Sequence, residues 1–116
     1  MKLVIAEKPS VAQNLAAILE ATERKQGYLE GNGYLVSWCV GHLIGLAAAD
    51  VYNARYSKWC YEDLPIIPKE WKYSIAPDKR EQYEVLASLM NRSDVESLIC
   101  ATDAGREGEL IFRLVY

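Results

Sequence analysis

Residues 97–110 read "SLICATDAGREGEL". The run into Ala101 lacks polar–apolar alternation, as expected of a parallel strand covered on both faces. Three acids, Asp103, Glu107 and Glu109, then crowd around one arginine, Arg106. From Gly105 onward, "GREGELIFRLVY" has the spacing of a helix. The chain opens in the same order. "KLVIA" (residues 2–6) is a short apolar strand, followed at once by Glu7 and Lys8. "KPSVAQNLAAILEA" (residues 8–21) then reads as a helix, with Pro9 suited to its first turn. Val11, Leu15, Ile18 and Leu19 are expected to form its apolar face, with alanines filling the rest.

Between these two units, residues 27–46 predict two strands around "EGNG", and Asn32-Gly33 is a hairpin turn signal. Gly41 and Gly45 are expected to break the second strand. Residues 47–71 show no period, and Pro65 and Pro68 suggest an irregular wrap packed on the surface, its aromatics Trp59 and Trp71 serving in packing rather than base stacking. "KYSI" reads as a short strand. "DKREQYEVLASLMNR" (residues 78–92) reads as a helix capped by Asp78, with Tyr83, Leu86, Leu89 and Met90 facing the core. The expectation is an α/β domain over residues 1–116: a mostly parallel sheet flanked by helices, with a hairpin insertion. The pattern is still helical at Tyr116, so a piece of a longer chain is expected.

Composition narrows the chemistry. The 116 residues carry 16 acidic and 13 basic side chains, a net charge of −3, which is not the footprint of a free-standing nucleic-acid-binding domain. Phosphate would have to be handled at a local site. One histidine, His42, excludes clustered imidazole ligation, so a metal here would be held by oxygen: Mg²⁺, Mn²⁺ or Ca²⁺. The three cysteines form no CxxC pair. Cys39 and Cys100 lie in apolar runs and are expected to be buried. No apolar run approaches a membrane span and no signal peptide is evident, so a cytoplasmic protein without membrane contact is expected.

In a parallel α/β sheet, sites form beyond the carboxyl ends of the strands. Glu7 and Asp103 occupy those positions, and Glu107 follows Asp103 by the i,i+4 spacing that puts two side chains on one helical face. The three carboxylates could surround a hard cation. Glu107 and Glu109 could instead be acids favouring a helix N-terminus, worth about 0.3–1 kcal/mol each, a reading that fits Asp103 and Glu7 less well because each follows an apolar strand. Lys8 and Arg106 read either as phosphate contacts or as ion-pair partners of those acids, and His42 as a structural histidine or a substrate contact.

"LVIAEKPSVA", "VSWCVGHLIGL" and "ATDAGREGELIFR", in that order, resemble the TOPRIM domain of type IA DNA topoisomerases, and among them the topoisomerase III-like enzymes. The resemblance covers essentially the whole chain. It implies a TOPRIM-like, Rossmann-like fold, with Mg²⁺ held by Asp103 and Glu107 together with Glu7. It also implies proton transfer by Glu7 at the scissile phosphate with Lys8 beside it, and phosphate or DNA contacts by Lys8, Arg106 and His42. The partners it implies are single-stranded DNA and the remaining topoisomerase domains, one of which carries the nucleophilic tyrosine. One position departs from the family's DxDxxGE-type pattern: Gly105 stands where a second acid is usual, and a glycine there could also adopt a positive φ. TOPRIM domains of primases and nucleases use the same acids, and a non-catalytic phosphate- or metal-binding module is the further alternative.

Overall fold

The computed structural model describes residues 1–116. Seven strands and three α-helices run in the order β1 (Lys2–Ala6), α1 (Pro9–Ile18), β2 (Glu23–Lys25), β3 (Tyr28–Gly31), β4 (Tyr34–Trp38), β5 (Ile44–Leu46), β6 (Tyr73–Ile75), α2 (Arg80–Met90), β7 (Ser97–Ala101) and α3 (Arg106–Val115). The main sheet has the order β2-β3-β4-β1-β7; β1 pairs in parallel with both β4 and β7, and the β2-β3-β4 meander is antiparallel. β5 and β6 form a separate antiparallel pair.

The two-residue period of β1 divides the core. Leu3 and Ile5 point to one face, where they pack with Leu35, Leu43, Leu86, Leu89, Ile111 and Phe112 from β4, the following loop, α2 and α3. Val4 and Ala6 point to the other, against Ala12, Ala16, Leu29 and Val36. Each of the fully buried leucines and isoleucines contributes about 1.5–3 kcal/mol of transfer free energy. The helix faces follow from these contacts. On α2, Leu86 and Leu89 are buried as the sequence predicts, with Tyr83 and Met90 packed at the margin. On α1 the expected face is corrected: Ala12 and Ala16 are the buried residues, while Ile18 is 77% exposed and Val11 also faces solvent. Small side chains let the helix backbone approach the sheet closely; of the expected residues Leu15 and Leu19 pack at the margin of this core, while Val11 and Ile18 remain outside.

Asn32 and Gly33 both have positive φ, 51° and 80°, the conformation a type I′ hairpin requires. Asn32 Nδ2 also donates to the Leu19 carbonyl at 3.1 Å, satisfying a free acceptor at the end of α1. Other expectations are revised. β2 is polar throughout and has no apolar signal in the sequence. Gly45 lies inside β5 instead of interrupting a strand. Asp78 does not cap α2; it lies in a 3₁₀ turn, Pro77–Lys79, that precedes the helix. β7 is not covered on both faces. It is the sheet's edge strand, with Cys100 exposed and Ile99 39% exposed. Residues 47–72 contain three short 3₁₀ turns and do not pack down as a wrap: Trp59 and Tyr61 are more than 90% exposed, and the molecule measures 57 × 27 × 22 Å. No helix is long and apolar enough to cross a membrane.

One polar rivet fastens α2 to the meander. Gln82 Nε2 donates to the carbonyls of Gly27 (3.2 Å) and Trp38 (2.8 Å) and lies 3.2 Å from Ser37 Oγ, which itself donates to Gly27 O at 2.8 Å. Ser37 is the one buried polar residue of the chain. Replacing Gln82 with leucine removes the side-chain donor to the Trp38 carbonyl and leaves Gly27 O with Ser37 Oγ alone, and a part-buried unsatisfied group costs about 1–3 kcal/mol. Urea unfolding of Gln82→Leu is expected to show a loss of that order; an unchanged midpoint would mean water replaces the amide at no cost.

Candidate active site

The parallel register sets the site. Ala6 pairs with Trp38 on one side and Ala101 on the other, so the segments leaving β1, β4 and β7 emerge together at one sheet edge. Glu7 follows β1 directly, and Asp103 follows β7 after Thr102. Glu7 Oε1 accepts the Asp103 backbone N–H at 3.3 Å. The loop after β4 closes the third side: Cys39 N–H donates to Ala6 O at 2.8 Å and Gly41 N–H to Glu7 O at 3.4 Å. Gly41 has φ +62°, a left-handed kink that favours glycine. His42 then reaches Glu107, Nε2 to Oε1, at 3.1 Å. The two sequence-predicted residues meet across 65 positions of chain.

Asp103 lies in the turn before α3, so the i,i+4 helical geometry expected for Asp103 and Glu107 does not apply. A different device brings the helix to the turn. Gly108 is buried against Asp103: a Cβ there would overlap the Asp103 carbonyl oxygen and stand 2.9 Å from its carbon and 3.0 Å from its nitrogen. Gly105 N–H donates to Asp103 O at 2.8 Å, and Glu109 N–H to Gly105 O at 3.0 Å. Gly105 is the N-cap of α3 with φ −159° and ψ 173°, extended backbone open to any residue, and nothing lies within 4 Å of a Cβ built on it. The positive φ considered for it is therefore not found.

Arg106 is exposed in the first turn of α3, and Lys8 is exposed at the N-cap of α1. Arg106, His42, Glu107, Glu109 and Arg113 line an open cleft of about 620 Å³. Arg113 is not free: its Nε donates to Glu109 Oε1 at 2.7 Å, and that bond raises the guanidinium above its ordinary value. Behind Glu7, burial pushes the Cys39 thiol up to about 12, with the Glu7 and Cys100 charges adding to the effect.

The structure joins Glu7 to Asp103, and His42 to Glu107, but gathers no group of three or more His, Cys, Asp or Glu side chains that could hold a metal by themselves. Three contributors were not read from the sequence. Lys79 ties the loop from outside, Arg113 engages Glu109, and Gly108 admits the Asp103 turn. Only Gly108 had a signal, the glycine at its place in the acidic motif.

A sheet flanked on both faces by helices, with acids at the carboxyl ends of adjacent parallel strands, is an α/β arrangement of the Toprim kind. The family model for the Toprim domain matches residues 2–116, and the chain belongs to that family. Over 113 residues it is 46% identical to the DNA topoisomerase 3 of Staphylococcus saprophyticus, 45% to that of Bacillus anthracis and 44% to that of Staphylococcus epidermidis. Each match covers 97% of this chain and 16% of the relative, so the chain spans about a sixth of the length of these curated proteins.

Two outcomes follow from this geometry. Gly108→Ala must push α3 away from the Asp103 turn, and overpacking of this kind costs about 1–3 kcal/mol. Thermal unfolding should fall accordingly, and the amide resonances of Asp103 and Gly105 should shift more than those of β4; a variant with wild-type melting and spectrum would contradict the close approach. For the thiols, exposed Cys60 and Cys100 should react with a thiol reagent at pH 8, while Cys39, buried and with its thiol raised to about 12, should react only on unfolding. Three equally fast thiols would refute the burial of Cys39.

Proposed function

We propose that this chain is the metal-binding catalytic domain of a type IA DNA topoisomerase, an ATP-independent enzyme that cuts and reseals single DNA strands by transesterification. The observation that carries the proposal is the convergence of Glu7, Asp103 and the His42–Glu107 pair at one sheet edge, in a Toprim chain whose curated relatives are named DNA topoisomerase 3. α1 and α3 both begin at this edge, because each follows one of two adjacent parallel strands, and their N-termini favour a phosphate there.

Toprim domains are in general metal-binding. The donors here, exposed Asp103 and Glu107 and half-buried Glu7, form no preformed three-ligand cage. That set suits Mg²⁺, which typically takes one or two carboxylates and completes its shell with water and substrate phosphate oxygens. Asp103 and Glu107 would hold it, with Glu7 beside them, and the bound cation would supply charge stabilisation at the phosphate.

The residues of the chain have distinct tasks. A tyrosine hydroxyl from another domain attacks the backbone phosphorus. The bond to the 3′ oxygen breaks as the bond to the tyrosine oxygen forms, leaving a 5′-phosphotyrosine, and the tyrosine proton passes to a base. Glu7 gives a proton to the departing 3′ oxygen and takes it back on resealing. Its Oε1 faces the Asp103 amide, so Oε2 is the oxygen placed to exchange that proton. Lys8 and Arg106, exposed at the two helix starts, steady the phosphate. His42 borders the cleft, where it would contact a DNA strand, while its Nε2 is engaged by Glu107.

The direct test is a chimera in which these 116 residues replace the matching segment of the Staphylococcus saprophyticus relative. It should relax supercoiled DNA when Mg²⁺ is present, and Glu7→Gln should remove cleavage while leaving DNA binding. A folded chimera that binds DNA but never cleaves it would overturn the proposal. Gly105 gives a second test. An aspartate there adds a hard oxygen ligand and one negative charge, and should tighten Mg²⁺ binding about tenfold, equivalent to about 1.4 kcal/mol. The added repulsion in the metal-free state is offset by the N-cap position, where aspartate is at least as favourable as glycine. Melting without metal should therefore change little, and the rise on adding Mg²⁺ should grow. An unchanged response in a folded Gly105→Asp variant would mean the position faces away from the cation.

A further inference from the structure

The loop from Cys39 to Leu43 touches both acidic centres, and it is held by a side chain with no other assigned task. Lys79, half-buried in the 3₁₀ turn before α2, donates from Nζ to the backbone carbonyl of His42 at 3.2 Å. The other ties of the loop are backbone or core contacts: Cys39 N–H to Ala6 O, Gly41 N–H to Glu7 O, Ala76 N–H to Leu43 O at 2.8 Å, and the Leu43 side chain, 1% exposed. Those contacts fix the ends of the loop. Only Lys79 fixes the peptide from which the His42 imidazole projects, and the nearest heavy atom to a Cβ on Gly41 would be the same ammonium, at 4.0 Å.

We propose that Lys79 is a positioning residue of the active site: by holding the His42 carbonyl it aims the imidazole at Glu107 and so sets where the Glu107 carboxylate stands relative to Glu7. The proposal rests on the site reading above for its consequence, and on the Lys79–His42–Glu107 chain of contacts for its substance. A charge-assisted bond from an ammonium to a half-buried carbonyl is stronger than a neutral one. Contacts that orient a ligand typically matter about 10–100-fold in metal affinity.

The sign of the effect separates positioning from simple electrostatics. Lys79→Met keeps the aliphatic stem and removes a positive charge near an acidic site. Charge alone would make a cation bind more tightly. Positioning makes it bind more weakly, by about tenfold. Titration of the chain with Mn²⁺ by calorimetry reads that sign, and the nitrogen-15 and proton resonances of the His42 ring, recorded without metal, read the contact itself. In Lys79→Met the ring signals should move toward those of Glu107→Gln, and Lys79→Arg, which keeps a charged donor, should restore both readouts. Should the methionine variant be globally destabilised, recovery by arginine of the ring signals and the Mn²⁺ affinity supports the proposal. A folded arginine variant that behaves like methionine overturns it. Wild-type ring signals in Lys79→Met, with Mn²⁺ binding unchanged or tighter, also overturn it. If the wild-type chain binds no Mn²⁺ at all, the metal reading fails and the His42 ring signals alone decide the role of Lys79.

Discussion

The structure depends on the pairing of β1 with two parallel neighbours. Because β4 and β7 lie on either side of it in register, the three chain segments that leave these strands are forced out at the same edge. The two-residue period of β1 then sends Leu3 and Ile5 toward α2 and α3, and Val4 and Ala6 toward α1. A slip of one residue would exchange these faces and carry Glu7 away from Asp103. Fold and site are thus specified by one register, and the apolar burial that fixes the register also fixes the acids.

At that edge the chain accepts an arrangement that hydrophobic burial alone would not choose. Carboxylates, exposed but for the half-buried Glu7, are gathered near two helix N-termini, whose partial positive charge offsets some of their repulsion. Three of the four acids also meet a donor: Glu7 the Asp103 amide, Glu107 His42, and Glu109 the guanidinium of Arg113 one turn along α3. Gly108 lets α3 settle against the Asp103 turn, where any side chain would intervene. The network is shallow and open to solvent.

Much of this was legible in the residues, and the failures have physical reasons. The apolar runs at residues 2–6 and 97–101, the Asn32-Gly33 turn and the Leu86–Leu89 face appear where the sequence placed them, because each rests on local chemistry. On α1, Leu15 and Leu19 pack as the pattern suggests, but Val11 and Ile18 do not, because alanines take the closest positions when a helix lies near a sheet. The two-sided covering of β7, and with it the burial of Cys100, depends on strand order, which the composition of a strand does not carry. Glu7 and Asp103 could be placed together from strand ends alone. The reach of His42 to Glu107 and of Lys79 to the His42 carbonyl spans 65 and 37 residues, and no local pattern announces either.

The central claim is that Glu7, Asp103 and Glu107 serve one cation at this edge. Paramagnetic broadening by substoichiometric Mn²⁺ in the amide spectrum of the chain tests it most directly. The account predicts that signals of residues 7–8, 41–42 and 102–108 broaden first and together, and that Asp103→Asn abolishes the effect at all three segments. Broadening centred on the acids of the projecting segment, Asp50, Glu62 and Asp63, with the sheet edge untouched, would contradict it.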